Sequence, residues 1–176
     1  MATVSSLPGS GLSLEPLRAE DVSAAYISWL NDPETMRYTE SRYAKHTRES
    51  TQAYIRNTNA DPAVWMWRIV LADGTHVGNI RLSAPQIAHR RGSLGIIIGE
   101  KNLRGKGIGP RAIDLVAAYA FGKLGIHKLN AGIYANNVAS QRAFEKVGFK
   151  REAVLQDHYF IDGRYVDGIM MARFAP

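Results

Sequence analysis

Residues 93–110, SLGIIIGEKNLRGKGIGP, and the apolar-periodic run that follows them to Leu124 decide how this chain is read. Ile96, Ile97 and Ile98 form a short β-branched run, the composition of a buried strand. Ile113, Val116, Ala117, Ala120, Phe121 and Leu124 recur every three or four residues, so they fall on one face of a helix. Between the two lie Gly105, Gly107 and Gly109, with Pro110 where a first-turn proline is tolerated. Gly125 follows the last apolar residue, at a helix stop. Strand, glycine-rich loop and helix together make an anion cradle. The first helical turn has unpaired N–H groups and a partial positive charge, and glycines let a phosphate approach them. Arg104, Lys106 and Arg111 add positive charge at the same place.

Two nucleotide fingerprints fail at this loop. Five residues separate Gly99 from Gly105-Lys106, and Gly107 stands where a P-loop needs a hydroxyl. No third glycine completes Gly-x-Gly-x-x-Gly after Gly105 and Gly107. What does fit is Arg-x-x-Gly-x-Gly at Arg104, Gly107 and Gly109, which resembles the acetyl-CoA loop of the GNAT superfamily of N-acetyltransferases.

The rest of the chain reads outward from this centre. Leu12 to Leu17 alternates as an opening strand. Asp21 can cap a helix to Asn31 that carries Val22, Ala25, Tyr26, Trp29 and Leu30 on one face. Pro33 starts a second short helical segment, residues 37–46 look irregular, and Thr47 caps a helix to about Asn59. Val64 to Leu71 and Val77 to Leu82 are strands joined at Asp73-Gly74, and residues 85–88 form a loop. Trp65 and Trp67 share a strand face and are assigned to the core. His127 to Tyr134 is a strand, and Asn136 or Asn137 caps a helix stopped by Gly148. Residues 150–160 and 164–174 form a final hairpin through Asp162-Gly163. Residues 1–11 are small and polar and read as a flexible tail before a single domain, 12–176. The order predicts an α/β (α+β) fold with helices on both faces of a sheet.

This order is similar to the GNAT fold, a mixed, mostly antiparallel sheet of six to seven strands. A second motif supports the resemblance. Asn136 to Phe149 looks like the family's Asn-x-x-Ser helix followed by Lys-x-Gly-Phe, and Trp29 to Glu34 is similar to the ribosomal-protein N-terminal acetyltransferases. Some members of that subgroup modify amino sugars. The resemblance implies that Ile97, Ile98 and Gly99 bind the acetyl carbonyl and the pantetheine arm of acetyl-CoA. Arg104, Gly105, Lys106, Gly107, Ile108 and Gly109 would hold the pyrophosphate. Asn137 would reach the pantetheine, and Phe144 would stand beside the cofactor. The acetyl group would pass directly to a primary amine, with no enzyme nucleophile and no metal.

The sequence departs from the family where proton transfer takes place. The tyrosine that protonates the leaving thiolate in many relatives is Phe144 here, so Ser140 is expected to substitute, although serine also suits a helix start. The usual glutamates are Gly132 and Ser93, so no general base is assigned. His158, beside Tyr159, is a candidate proton acceptor or simply a surface histidine. Glu100, His89 and Asp157 remain, with Glu100 expected to face solvent.

Composition narrows the alternatives. The 176 residues contain no cysteine, which removes disulfides and cysteine nucleophiles and leaves the cytoplasm as the expected location. No run approaches a membrane span. The net charge of +6 is scattered rather than striped, so nucleic acid is not an expected partner. The acceptor is left open between a protein N-terminus and an amino sugar or other small amine, and a homodimer is neither required nor excluded. The competing reading is a CoA-binding module that does not transfer.

Overall fold

The computed structural model describes residues 6–9, 11–84 and 87–176. Its sheet has eight strands: β1 (Leu7–Gly9), β2 (Leu12–Pro16), β3 (Val64–Leu71), β4 (His76–Ser83), β5 (Arg91–Ile98), β6 (Lys128–Tyr134), β7 (Lys150–Ile161) and β8 (Arg164–Phe174). They lie in the order β1-β2-β3-β4-β5-β6-β8-β7, and every pair is antiparallel except β5 with β6. The helices are α1 (Ala24–Leu30), α2 (Pro33–Met36), α3 (Arg48–Ala60), α4 (Ile108–Gly122) and α5 (Val138–Glu145). The sheet therefore has one strand more than expected. Leu7–Gly9 pairs with β2 inside the stretch read as a tail, while residues 1–5 and 10 lie outside the described residues, as do 85 and 86 of the expected loop. No helix among the described residues is long and apolar enough to cross a membrane.

Two apolar clusters cover the two faces, and the period-two geometry of β3 shows how. Trp65, Trp67 and Ile69 point into the larger cluster with Ala112, Ile113, Val116 and Phe144, whereas Met66 points into the smaller one with Tyr26, Trp29 and Ile55. The expected helical face of α4 is the buried one: Ile113, Val116, Ala117 and Ala120 are all fully buried. Truncating a fully buried side chain such as Trp67 costs about 3–5 kcal/mol.

Local signals set the helix ends. Thr47 caps α3 and Asn137 caps α5, each accepting the N–H three residues on. At α1 the cap is Ser23, which accepts from Tyr26 N–H at 3.1 Å, and not Asp21. Asp21 closes a separate 3-10 turn, where its carboxylate accepts Arg18 N–H at 2.7 Å and pairs with Arg68 at 3.2 Å. An acidic residue two positions early had a better partner in the neighbouring strand.

β5 and β6 determine where ligands can bind. They pair only from Arg91 with Lys128 to Ser93 with Asn130 and then diverge. Beyond Ser93 the sheet is split, with β4 and β5 on one side and β6 and β8 on the other.

Candidate active site in the split of the sheet

Backbone direction decides what the β5 wall offers. Polar groups alternate sides along a strand. Gly99 N–H is bonded to Val77 O of β4 at 2.9 Å, while Ile98 O points the other way and accepts from Arg104 Nε and Nη2 at 3.3 Å. Ile96 and Ile98 therefore turn their backbone groups to the split, and Ile97 and Gly99 turn theirs to β4. This corrects the expectation for Gly99. Its amide is spent, and a Cβ there would lie 2.0 Å from the Trp29 ring, so glycine serves a close approach and not a ligand. Ile97 instead presents its side chain to the cavity described below. Arg104 also takes a different part from the one expected. Its guanidinium is committed to Glu34 at 3.0 Å, Thr35 at 2.8 Å and Ile98 O, tying the loop to α2.

The loop itself is open. Gly105 and Gly107 have φ of +76° and +78°, and a Cβ on either would meet nothing within 4 Å. Among the described residues, no protein acceptor takes the N–H of Gly105, Lys106, Gly107, Ile108 or Gly109. Five donors at the start of a fifteen-residue helix are thus available to an external anion. This is the donor set that a diphosphate requires. Lys106 adds an exposed ammonium.

Past the loop, a cavity of about 400 Å³ occupies the split. Ile96, Ile97, Ile133, Asn137, Ser140 and Phe144 are among the residues lining it. Asn137 Oδ1 is used by Ser140 N–H at 3.2 Å, which leaves its NH₂ without a partner among the described residues. The Ser140 hydroxyl likewise has no partner there. Phe144 is buried edge-on against Phe149 at 5.0 Å and has no hydroxyl to offer.

On the opposite face of the sheet, Gly95 of β5 and Gly132 of β6 flank the split two residues beyond the last paired rung. Over Gly132 lies a residue that the sequence reading passed by. A Cβ on Gly132 would sit 3.4 Å from the Tyr159 hydroxyl oxygen. Tyr159 arrives there through an irregularity in β7. Leu155 faces Gly168 and Tyr159 faces Val166, so three β7 residues oppose Asp167 alone. Asp157, at φ +47°, donates its N–H to the Asp167 carboxylate at 3.0 Å and pins that bulge.

Of the two readings of His158, the bulge favours the surface histidine. His158 is exposed and lies against Gly168, not over Gly132. No periodicity in the sequence signals a bulge of this size. The available hint was the left-handed tolerance of aspartate at Asp157. Glu100, expected to face solvent, accepts Trp29 Nε1–H at 3.1 Å.

Tyr159 belongs to a hydrogen-bonded group. Its ring stacks on Tyr134 at 3.7 Å and 13°. The Tyr134 hydroxyl donates to Glu40 at 2.7 Å and accepts from Arg42 Nη1 at 2.6 Å. Burial, opposed by the Arg42 contact and helped by Glu40, pushes the Tyr134 phenol up to about 12, and burial with nearby Glu40 raises Tyr159 as well. Both phenols stay protonated at neutral pH.

A family profile described as an acetyltransferase (GNAT) domain matches residues 12–150. The spermidine N(1)-acetyltransferase of Escherichia coli K12 is 30% identical over 164 residues, 93% of this chain and 86% of that protein. The crystal structure of spermidine N-acetyltransferase from Vibrio cholerae in complex with CoA and spermine aligns with a TM-score of 0.85 at 25% identity, covering 94% of this chain and 96% of that one. RimL, a ribosomal L7/L12 alpha-N-protein acetyltransferase solved in complex with coenzyme A, aligns at 0.87 with 15% identity over 97% and 98%, a likeness of fold alone. A profile match over most of the length, on a sheet split at β5 and β6 with an open amide loop beside it, places this chain in the GNAT acetyltransferase family.

Proposed function

We propose that this protein transfers an acetyl group from acetyl-CoA directly to a primary amine, with both substrates held in the split. The observation that carries the reading is the row of five unspent amides at the start of α4, opening beside a cavity between diverging strands. Gly105 to Gly109 would hold the pyrophosphate. The Ile96 backbone, the Ile98 N–H and the Asn137 amide would hold the pantetheine arm, with an inward β5 N–H for the carbonyl oxygen as it gains charge.

Four side chains on the walls then have work assigned to them. The Tyr159 hydroxyl oxygen accepts a hydrogen bond from the amine and aims its lone pair at the carbonyl carbon. Glu40, the one carboxylate among the described residues lining the cavity, takes the proton the amine gives up as the C–N bond forms. The C–S bond breaks, and Ser140 donates its hydroxyl proton to the departing thiolate and regains one from solvent. Tyr134 holds Glu40 in place. His158 is proposed for no step, because its exposed ring lies against Gly168, away from Gly132.

The acceptor class is a protein N-terminus or a small amine such as an amino sugar. The cysteine-free composition keeps the cytoplasm as the proposed location. A second reading, binding without transfer, draws on Phe144 and Gly132, where hydroxyl and carboxylate are missing. The test is calorimetry with acetyl-CoA followed by CoA release across a panel of amines. Binding with turnover supports transfer. Binding with no turnover on any amine class supports the second reading, and no binding removes both.

A further inference from the structure

The charges around the acceptor side of the cavity do not balance. Among the described residues lining it, the charged ones are Glu40 and Arg81. Glu40 is already engaged, taking the Tyr134 hydroxyl at 2.7 Å with Arg42 3.9 Å away. Arg42 is occupied in turn by Tyr134, Tyr43, Thr39 O and Phe160 O. Arg81 differs: its guanidinium makes no hydrogen bond or ion pair with any described residue.

The position of Arg81 gives that cation a purpose. It lies on β4 opposite Gly95, the glycine that borders the split. Leu82 and Ile80, its neighbours in sequence, point into the core on the α4 side, so Arg81 projects to the face of Gly132 and Tyr159. A Cβ on Gly95 would meet nothing within 4 Å, so open space lies beside Arg81. An unpaired guanidinium at the edge of an open slot is a fork for a carboxylate or phosphate.

We infer that the acceptor carries an anionic group, carboxylate or phosphate, beside its primary amine, and that Arg81 selects for it. This rests on the transferase reading above and narrows its acceptor. It also separates this chain from the spermidine enzymes it resembles. A polyamine brings several ammonium groups and is best met by several carboxylates. Here a single, already engaged carboxylate stands with a free guanidinium, and a second ammonium in that slot would meet a like charge.

The test compares matched amines that differ only in the anion. One pair is glucosamine 6-phosphate and glucosamine. The other is two peptides with aspartate or asparagine at the second position. Spermidine is the cationic member. In a CoA-release assay with the wild-type protein, the anionic member of at least one pair should exceed its neutral partner about 10-fold in kcat/KM, with spermidine slower than either. The pair that responds tells phosphate from carboxylate. Arg81→Gln should reduce that preference to less than about 3-fold while leaving the neutral amine's rate and the acetyl-CoA Kd in place, and Arg81→Lys should restore part of it. Equal rates within both pairs, faster turnover of spermidine, or a preference that survives Arg81→Gln would overturn the inference and leave the transferase reading standing. No turnover on any member would overturn both.

Discussion

The two walls of the split are built by opposite means. The β5–α4 wall works with backbone: five amides in a loop of local sequence, held open by glycines and braced from behind by Arg104. The β6–β7 wall works with side chains gathered from far apart: Glu40 and Arg42 before α3, Tyr134 at the end of β6, and Tyr159 after a bulge near the C-terminus. A main-chain site is indifferent to most side-chain changes and suits a constant ligand. A side-chain site changes with each substitution and suits a variable one. The difference predicts that donor binding and acceptor turnover can be broken separately, each from its own wall.

The largest effect should come from the backbone wall. Gly107→Asp puts a carboxylate where the diphosphate sits and a Cβ at φ +78°. Calorimetry should show acetyl-CoA binding at least about 100-fold weaker, near 3 kcal/mol. Because nothing lies within 4 Å of that Cβ, the far-ultraviolet circular dichroism should be unchanged. A variant that binds as tightly as wild type would mean the loop does not hold the donor.

The facing wall should respond the other way. Tyr159→Phe keeps the stack on Tyr134 and removes only the hydroxyl over Gly132. Amine kcat/KM should fall by about 10- to 100-fold with the acetyl-CoA Kd intact. Loss of donor binding in this variant would erase the proposed division of labour. His158→Ala, one residue away but exposed and against Gly168, should leave turnover within about 2-fold.

The same division explains what could be read in advance. The loop was legible because its information is local: glycine spacing, a first-turn proline and one helical face all lie within about thirty residues. Thr47 was legible as a cap for the same reason, as was the Asn136–Asn137 pair, of which Asn137 is the cap. Asp21 was not, because its choice between capping α1 and pairing with Arg68 is made by a strand more than forty residues away. Tyr159 was hidden more deeply. Alternation along β7 predicts facing only if pairing is regular, and the bulge between Leu155 and Tyr159 resets it. His158 was therefore the natural guess and Tyr159 the residue that arrives. Ile97 and Ile98 show the limit on the legible wall: the isoleucine run was recognised, but only a partner such as Val77 O shows which amides face the split.

Ser140 sits between the two walls and sharpens the comparison at a smaller scale. It meets Asn137 through its backbone N–H at 3.2 Å, so Ser140→Ala keeps the cap of α5 and removes only the free hydroxyl. A role in protonating the thiolate predicts a fall in kcat of about 10-fold at unchanged melting temperature. A role in the helix start predicts the reverse, a lower melting temperature and unchanged kcat.

The smallest effect belongs to the brace behind the loop, where Lys101 bridges Asp32 at 3.0 Å and Glu34 at 2.8 Å while Arg104 holds Glu34. Hydrogen bonds from Thr35, then from Lys101, lower the Asp32 carboxyl from 3.8 to about 2. A carboxyl lowered on folding stabilises the native state above its unfolded value, and the contribution is lost as pH falls through the folded one. Asp32→Asn keeps an acceptor for Thr35 N–H and removes the charge, so any deficit reports that charge, through its hydrogen bonds from Thr35 and its pair with Lys101. The groups are exposed and screened, so at pH 7 the melting temperature should drop by only about 1–3 °C. That gap between wild type and variant should close between about pH 4 and pH 2 and shrink in 1 M salt. A gap that persists at pH 2 would mean Asp32 acts through its shape at the start of α2, and that the loop is braced by Arg104 without help from Lys101.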